Sequence, residues 1–466
     1  MRTETDESRC RYVADELQSK GLWRIPGVAG EPRLWRVSAA PFPLDPSIAD
    51  LVQRLGPALL SFYAAANVLY LQRSYPWVNE YLDRGKPESL VEHAHMNYQK
   101  RRLPGIIRPD IVLTDDGPRI TELDSVPGGM GQLDGMSLLY GQLGFEVFGS
   151  ARGMLHGFDG MIRAAADMDD PALAIVVSDE SADYWPEMAW LAQELRGLGR
   201  RTWILRPEEL IFTEEGLFVE EAGERERLDI LYRFFELFDL KNIPKSELMA
   251  YAAKKRRVVV TPPYKHYLEE KMLLALLHHP MLEGFWAESL GPDDYGLLRE
   301  LVPRTWILDP RPVPPHAVVP DFRFRGQPVQ DWRVAAHGTQ KERRLVIKPS
   351  GFSPLAWGGR GVVVGHDVSG EEWAAAIERA LANFDALPYV LQHFHEGKRV
   401  LVRYYDRDPD VVTQMQGRVR LSPYYYVLED GANLAGVLAT VAPLDKKLIH
   451  GMVDAVMAPC MVSGNA

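Results

Sequence analysis

The sequence is poor in cysteine: its 466 residues include only Cys10 and Cys460, which lie near opposite ends of the chain. A disulfide framework requires several cysteines, and such frameworks are typical of oxidising compartments. The first ten residues, MRTETDESRC, are charged and lack the apolar stretch of a secretory signal. These features predict a cytoplasmic protein without structural disulfides.

The sequence also lacks an excess of positive charge and a long apolar run. The formal net charge is -11, whereas a nucleic-acid partner requires a clustered basic surface. The most apolar window, Leu55 to Leu71, is slightly too short to span a bilayer and is interrupted by Gly56, Pro57, Ser61 and Asn67. The sequence therefore predicts no nucleic-acid partner, no membrane span and a buried helix that begins at Asp45-Pro46.

Several familiar catalytic signatures are missing. The chain has no GxxxxGK[ST] phosphate loop and no GxSxG nucleophile motif. With 46% apolar and 25% charged residues it has the composition of an ordinary globular protein, and its length indicates about two to four lobes.

The segment Ile120 to Leu133, ITELDSVPGGMGQL, carries the strongest candidate site. Two short apolar runs separated by the turn DDG predict a β-hairpin whose second strand ends in Glu122-x-Asp124. Side chains at i and i+2 leave a strand on the same face, so both carboxylates can reach one Mg²⁺ or Mn²⁺ ion. The alternative interpretation is a solvated strand end followed by a glycine turn.

From Ala172 onward the sequence shows the strand–helix–strand pattern of a parallel α/β unit. The strand AIVVSD, a helix over Trp185 to Leu198 and the strand RTWILR follow one another. The runs LFVE and LDILYRFF are predicted to complete a small doubly wound lobe. The first strand is followed by DESADYW instead of a glycine-rich turn, which disfavours dinucleotide binding.

A second glycine-rich region lies at residues 343–365, RRLVIKPSGFSPLAWGGRGVVVG. A strand ending in Lys348-Pro349, a loop and a strand VVVG predict a hairpin flap that can cover phosphates with backbone N–H groups. The loop contains Gly351, Gly358, Gly359, Arg360 and Gly361. An ordinary β-hairpin is the alternative.

The rest of the C-terminal half predicts mainly strands. Lys271 falls on a helix predicted over Tyr267 to His278, and YVLQHF at 389–394 is a buried strand. The runs RVLVRYYD, VVTQMQGRVRL and PYYYVLED then predict a long antiparallel meander, and the chain closes with GANLAGVLATVAPL.

Taken in order, these motifs resemble the circularly permuted ATP-grasp ligases, the group that includes eukaryotic-type glutathione synthase and glutathionylspermidine synthase. In that group the acidic metal motif precedes the flap, as it does here. The resemblance spans about residues 110–445 and rests on the set of motifs rather than on any single one.

The resemblance implies an α/β (α+β) ATP-grasp-type fold, circularly permuted, with a small doubly wound parallel lobe and an antiparallel sheet bearing the glycine-rich flap. It divides the chain into a mostly helical region at 1–105, a metal-motif segment at 106–170, the small α/β lobe at 171–245 and the ATP-grasp lobes at 246–466. Residues 1–105 match no motif.

The resemblance also implies ATP and Mg²⁺ as cofactors. Glu122 and Asp124 would hold the metal, and Lys271 and Lys348 would contact phosphate or adenine. The lid would contain Gly358, Gly359 and Gly361, and the adenine pocket would be lined by Gln392, His393 and Phe394. The implied activity is an ATP-dependent ligase that joins a small-molecule carboxylate to an amine through an acyl phosphate.

Two departures from the family pattern leave alternatives open. The family usually has Asn where this chain has Asp124, and its flap commonly carries a Glu that Gly359-Arg360-Gly361 lacks. A nucleotide-binding protein without catalysis and a small-molecule phosphotransferase therefore remain alternatives.

Arginines and histidines supply the remaining candidates. Arg360, Arg403 and Arg418 are planar donors suited to a phosphate or a substrate carboxylate, and the first two are predicted to be catalytic. His393 and His395 can face one side of a strand, but their spacing supplies no third ligand for zinc.

Overall fold

The computed structural model describes residues 5–23, 35–314, 317–356, 359–446, 448–450, 452 and 454–463. The α-helices within these residues are α1 Asp6–Ser19, α2 Pro46–Gln72, α3 Pro76–Leu82, α4 Glu88–Ala94, α5 Met130–Gln142, α6 Gly153–Ala166, α7 Trp185–Gly197, α8 Ser246–Lys254, α9 Met272–Leu277, α10 Glu283–Leu301 and α11 Gly370–Ala382.

The strands form one large sheet and several smaller ones. They are β1 Arg36–Ser38, β2 Phe42–Leu44, β3 Ile106–Thr114, β4 Gly117–Asp124, β5 Leu173–Val177, β6 Thr202–Leu205, β7 Ile211–Thr213, β8 Gly216–Glu221, β9 Glu224–Arg227, β10 Ile230–Phe234, β11 Val259–Thr261, β12 Thr305–Ile307, β13 Arg323–Phe324, β14 Gln327–Pro328, β15 Leu345–Pro349, β16 Val363–Val364, β17 Tyr389–His393, β18 Arg399–Asp406, β19 Val411–Leu428, β20 Gly431–Pro443 and β21 Val456–Val462.

Helix α2 is the long buried helix expected from the apolar spacing after Asp45. It begins at Pro46, where the missing N–H costs nothing, and it continues through Pro57. Its buried face packs on β20, and Gly56 lies so close to Ala432 O that a Cβ would stand 2.6 Å from it. Among the described residues, no helix combines the length and apolar character needed to cross a bilayer.

The large sheet has eight strands in the order β18-β1-β21-β20-β19-β3-β4, with β2 paired to β21. Strand β18 also pairs with β19, so β18, β1, β21, β20 and β19 form a closed ring from which the β3–β4 hairpin extends. The predicted hairpin is confirmed, and β18, β19 and β20 form the predicted antiparallel meander. The runs VVTQMQGRVRL and PYYYVLED, predicted as separate runs, fall almost entirely in one long strand, β19. The sheet also takes two strands from the first 105 residues.

The small lobe contains a four-stranded parallel sheet in the order β11-β10-β5-β6. Alternate residues of β5 enter two different cores, with Ile175 and Val177 on one face and Ala174 and Val176 on the other. This two-sided burial confirms the doubly wound interpretation. The assignment of the run LFVE to this sheet was wrong. LFVE lies in β8, the middle strand of the separate antiparallel sheet β7-β8-β9. The fourth parallel strand is β11, which follows residue 245.

The flap belongs to a third sheet, ordered β12-β17-β15-β16. Strands β15 and β16 pair antiparallel, with Val346 opposite Val364, which confirms the predicted strand, loop and strand. Strand β17 lies on the other side of β15 and places Gln392 opposite Val346. This sheet presents the end of β15 toward the β3–β4 hairpin of the large sheet.

Candidate functional site

A cavity of about 360 Å³ lies where the three sheets meet. The β3–β4 hairpin and β19 form one wall, β15 and β17 form the opposite wall, and the start of α7 from the small lobe closes one side. Eight of the predicted site residues line it: Glu122, Asp124, Lys271, Lys348, Gly359, Gln392, His393 and Phe394. Residues separated by more than 270 positions in the chain therefore face one space.

The two acids of the Glu-x-Asp motif each have a cationic partner. Glu122 Oε1 lies 2.7 Å from Lys271 Nζ, and Asp124 Oδ2 lies 3.0 Å from an Arg108 guanidinium nitrogen. Burial alone would lower the pKa of Lys271, but the adjacent Glu122 carboxylate, together with Glu270 and Asp124, raises it. Burial raises the pKa of Asp124 despite the Arg108 charge beside it. The acids and their partners form a compact charged network.

Arg108 and Asp110 extend this network on β3, and neither was identified in the sequence. Their cross-strand partners are Asp124 and Glu122, respectively. Asp110 is buried and receives an ion pair from Arg420 at 3.0 Å and a hydrogen bond from Ser422 Oγ at 2.9 Å. Burial would raise the pKa of Asp110, but Arg108 and Arg420 together lower it. The sequence does contain a signal for these two residues. They form an Arg-x-Asp pair on the first hairpin strand, and the i, i+2 spacing places both side chains on one face, as it does for Glu-x-Asp.

Lys348 lies across the cavity from the hairpin, at the end of the buried strand β15. Its Nζ donates to Gln392 Oε1 at 2.8 Å and to the Thr121 carbonyl oxygen at 2.9 Å, so it connects the third sheet with β4. Gln392 Nε2 in turn donates to Thr305 Oγ1 at 3.0 Å. Burial lowers the pKa of Lys348 to about 8.

The end of β17 and Phe394, the residue after it, line the cavity. The backbone N–H groups of His393 and Phe394 already donate to the carbonyl oxygens of Arg304 and Arg344. A ligand base placed here would therefore meet the side chains or the carbonyl oxygens of this segment. The His393 ring packs edge-on against Trp306.

The remaining predicted residues are not brought into the cavity. Arg360 is largely exposed and pairs with Glu180 at 3.4 Å, whereas Arg403 is exposed and pairs with Asp6 of α1. Arg418 is buried against Glu396 and the Leu444 carbonyl oxygen. Gly361 shapes the loop through a hydrogen bond to Leu355 O, and Gly358 lies outside the described residues.

The Pro-Gly-Gly loop holds a buried acid that the sequence did not reveal. Glu187 of α7 accepts hydrogen bonds from the backbone N–H groups of Gly129 at 2.8 Å and Gln132 at 3.4 Å, at the N-terminus of α5. Burial raises the pKa of Glu187 to about 7 although these N–H donors favour its charged form. A Cβ on Gly131 would stand 2.3 Å from Glu187 O, so glycine permits this close approach.

The donor set fits a magnesium ion that is shared with a phosphate ligand. Among the described residues, no three His, Cys, Asp or Glu side chains are grouped as the ligands of one metal, and this includes the surroundings of His393 and His395. Mg²⁺ commonly uses only one or two carboxylates and completes its shell with water and substrate phosphates. The opposed carboxylates of Asp110 and Glu122 meet that requirement, with Asp124 on the same strand as Glu122.

Comparison with known proteins identifies a shared fold. No protein-family model and no curated protein matches the sequence. A glutathione synthetase-like effector from Globodera pallida, solved in the apo form, superposes with a TM-score of 0.61 and 12% sequence identity, over 98% of this chain and 96% of its own. A protein from Methylobacillus flagellatus KT, proposed to be a gamma-glutamylcysteine synthetase, gives a TM-score of 0.41 at 13% identity and 88% coverage of each chain.

The likeness to the effector extends over nearly the whole chain, so this protein has the mixed α/β fold of a glutathione synthetase-like protein. That statement concerns the fold alone, because the sequence identity is low.

Proposed function

We propose that this protein is an ATP- and Mg²⁺-dependent ligase that joins a small-molecule carboxylate to an amine, with the permuted ATP-grasp arrangement inferred from its motif order. The observation that carries the proposal is the meeting of Lys348, Lys271 and the Asp110–Glu122 pair in one cavity between separate sheets. Phosphoryl transfer to a carboxylate requires mainly positioning and charge neutralisation, and these residue types supply both. The fold shared with a glutathione synthetase-like effector supports the same class.

In this proposal the wall formed by β15 and β17 holds the nucleotide. Lys348 contacts phosphate, and the Gln392 to Phe394 segment surrounds the base. Glu122 and Asp110 would hold Mg²⁺, with Asp124 beside them, and the ion supplies charge neutralisation at the phosphates when bound. Lys271, which pairs with Glu122, can exchange that carboxylate for a phosphate oxygen when the metal binds.

Arg108 and Arg420 are the proposed contacts for the substrate carboxylate. Both line the cavity and both are anchored on Asp110, which fixes their orientation. Planar guanidinium groups suit bidentate binding of a carboxylate. In this proposal Arg108 and Arg420 have the role that the sequence suggested for Arg360 and Arg403.

The chemistry requires no nucleophilic side chain. A carboxylate oxygen attacks the terminal phosphorus of ATP, the bond to ADP breaks, and the amine nitrogen then attacks the carbonyl carbon and releases phosphate with loss of one proton. The two cysteines are buried outside the cavity lining, which agrees with a reaction that uses no thiolate.

The test is incubation of the full chain with Mg-ATP and pools of small carboxylates and amines, scored by ADP release and by new amide masses. ADP formation that requires both an acid and an amine is the expected result. ATP binding without turnover would instead identify a catalytically inactive nucleotide-binding protein, and a stable phosphorylated product would identify a phosphotransferase.

Site variants make this test specific. Glu122→Gln and Lys348→Met are expected to reduce turnover at least about a hundredfold, because each removes a charge from the phosphate site. Glu224→Gln on β9 and Lys341→Met are the matched exposed controls, and we expect them to retain turnover. Unchanged ADP production in both site variants would contradict the assignment.

A further inference from the structure

A second, smaller cavity of about 50 Å³ adjoins the candidate active site. It shares Glu122, Asp124 and Lys271 with the larger cavity, and it continues toward the carboxyl end of the parallel strand β10. Its other polar side chains are Ser125, Glu236, Glu269 and Ser353. Ligands of parallel α/β sheets bind at this end of the strands.

Four carboxyl groups line the small cavity, and one of them has no ion-pair partner among the described residues. Three of its carboxylates have a cationic partner: Glu122 pairs with Lys271, Asp124 with Arg108, and Glu269 with the fully buried Arg233. The side chain of Glu236, which follows β10, makes no hydrogen bond or ion pair with any described residue, and burial raises the pKa of its carboxyl group well above the usual range. A cation bound beside Glu236 would supply the counter-charge that the ionised carboxylate lacks.

An independent feature points to a missing hydrogen-bond partner in the same place. Ser125 is 3% exposed and lines the small cavity, and its buried hydroxyl has no hydrogen-bond partner among the described residues. Leaving a buried polar group without a partner is costly, so such groups usually mark a missing ligand or water. Together, Glu236 and Ser125 offer acceptors for a small cationic donor.

The base of the flap closes the small cavity. Gly351 and Ser353 line it, and a Cβ on Gly351 would stand 2.4 Å from Glu269 O. The flap that is proposed to cover the nucleotide therefore also covers this space. A group bound in the small cavity would lie next to Glu122 and Lys271.

We propose that the small cavity binds the ammonium group of a cationic amine, and that this amine is the acceptor substrate. The identification of the amine as acceptor rests on the proposed ligase function. An ammonium group carries one positive charge and only donors, which matches Glu236 and the acceptor capacity of Ser125 Oγ.

The test uses ethylammonium as the probe and the full chain as the protein. Saturation-transfer NMR is expected to detect ethylammonium bound to the wild type, whereas ethanol, its neutral counterpart, should not bind. We expect Glu236→Gln to weaken ethylammonium binding about tenfold and Ser125→Ala to weaken it about threefold, as loss of a charged and a neutral hydrogen bond would do. Glu224→Gln, an exposed change of the same charge, is the control and should leave binding unchanged.

Several outcomes would overturn the proposal. These are absence of ethylammonium binding, equal affinity in the wild type and Glu236→Gln, or Mg²⁺ binding without nucleotide that depends on Glu236. Nucleotide binding, measured separately with Mg-ADP, distinguishes failure of the ligase proposal from failure of the amine site. If ATP is bound and turned over, Glu236→Gln should raise the KM for the amine more than it lowers kcat.

Discussion

The charge state of Lys348 depends on how deeply the fold buries its amine. The amine is enclosed between β15, β17 and β4, and burial lowers its pKa from the usual 10.5 to about 8. Below that pH the side chain is an ammonium group that can bind phosphate, and above it the side chain is neutral. The folded-state pKa therefore sets an upper pH limit for nucleotide binding.

We predict that ATP affinity falls by up to about tenfold for each pH unit above about pH 8, since binding then requires uptake of a proton by Lys348. Isothermal titration with Mg-ATP from about pH 6.5 to about pH 9.5 measures this dependence, because that range lies on both sides of the Lys348 pKa. Lys348→Met should bind more weakly with a nearly flat profile over the same range. A wild-type profile as flat as that of the variant would contradict the role of Lys348.

A glycine at the base of the flap permits its close approach to the segment before Lys271. Gly351 lies near the start of the loop between β15 and β16, and it packs against the backbone at Glu269, two residues before Lys271. No side chain fits there without moving the loop. Because Lys348 lies three residues earlier, a shift at Gly351 is transmitted to both lysines of the cavity.

We predict that Gly351→Ala lowers kcat/KM for ATP about tenfold or more, because a displacement of about 1 Å at a catalytic site is costly. Gly370→Ala is the control: Gly370 starts α11 and has nothing within 4 Å of the added Cβ. Steady-state ADP release measures both variants, and circular dichroism monitors their folding. Equal activity of the two variants would show that the flap tolerates the shift.

At the scale of the whole molecule, a buried ion pair connects the first hundred residues with the site. Lys86 Nζ lies 2.5 Å from Glu270 Oε1, and both side chains are 1% exposed. Ser350 Oγ donates to the same carboxylate and accepts from Met272 N at 3.2 Å. Lys86, which precedes β3, is therefore linked through Glu270 to the segment at Lys271 and to the base of the flap.

We predict that Lys86→Met destabilises the protein by about 3–5 kcal/mol, because it leaves the Glu270 carboxylate buried without a counter-charge. Adding Glu270→Gln should restore most of that loss. Urea denaturation of the wild type, both single variants and the double variant measures the coupling. Arg299→Met, which breaks the exposed Arg299–Glu283 pair, is the control and should cost less than about 1 kcal/mol.

The local features of the site could be predicted from sequence because they depend on short-range periodicity. The two-residue repeat places Glu122 and Asp124 on a strand end, the turn DDG defines the hairpin, and Lys348-Pro349 ends a buried strand before a glycine loop. The same reasoning found α2 and the parallel strands β5 and β10. In each case a few neighbouring residues contain the whole signal.

Only the tertiary structure decided which side chains meet. It paired Glu122 with Lys271 and Asp124 with Arg108, placed Glu187 at the start of α5, and left Arg360 and Arg403 outside the cavity. It also placed β8 in a separate sheet and inserted the three-residue β1 between β18 and β21.

The physical reason is that pairing between distant strands is set by packing and register rather than by local pattern. A three-residue strand is too short to show a periodicity, and an arginine in a strand carries no local sign of which carboxylate it will reach. The sequence by itself determined the residue types and the local elements of the site. Tertiary packing determined their partners, their burial and hence their charges.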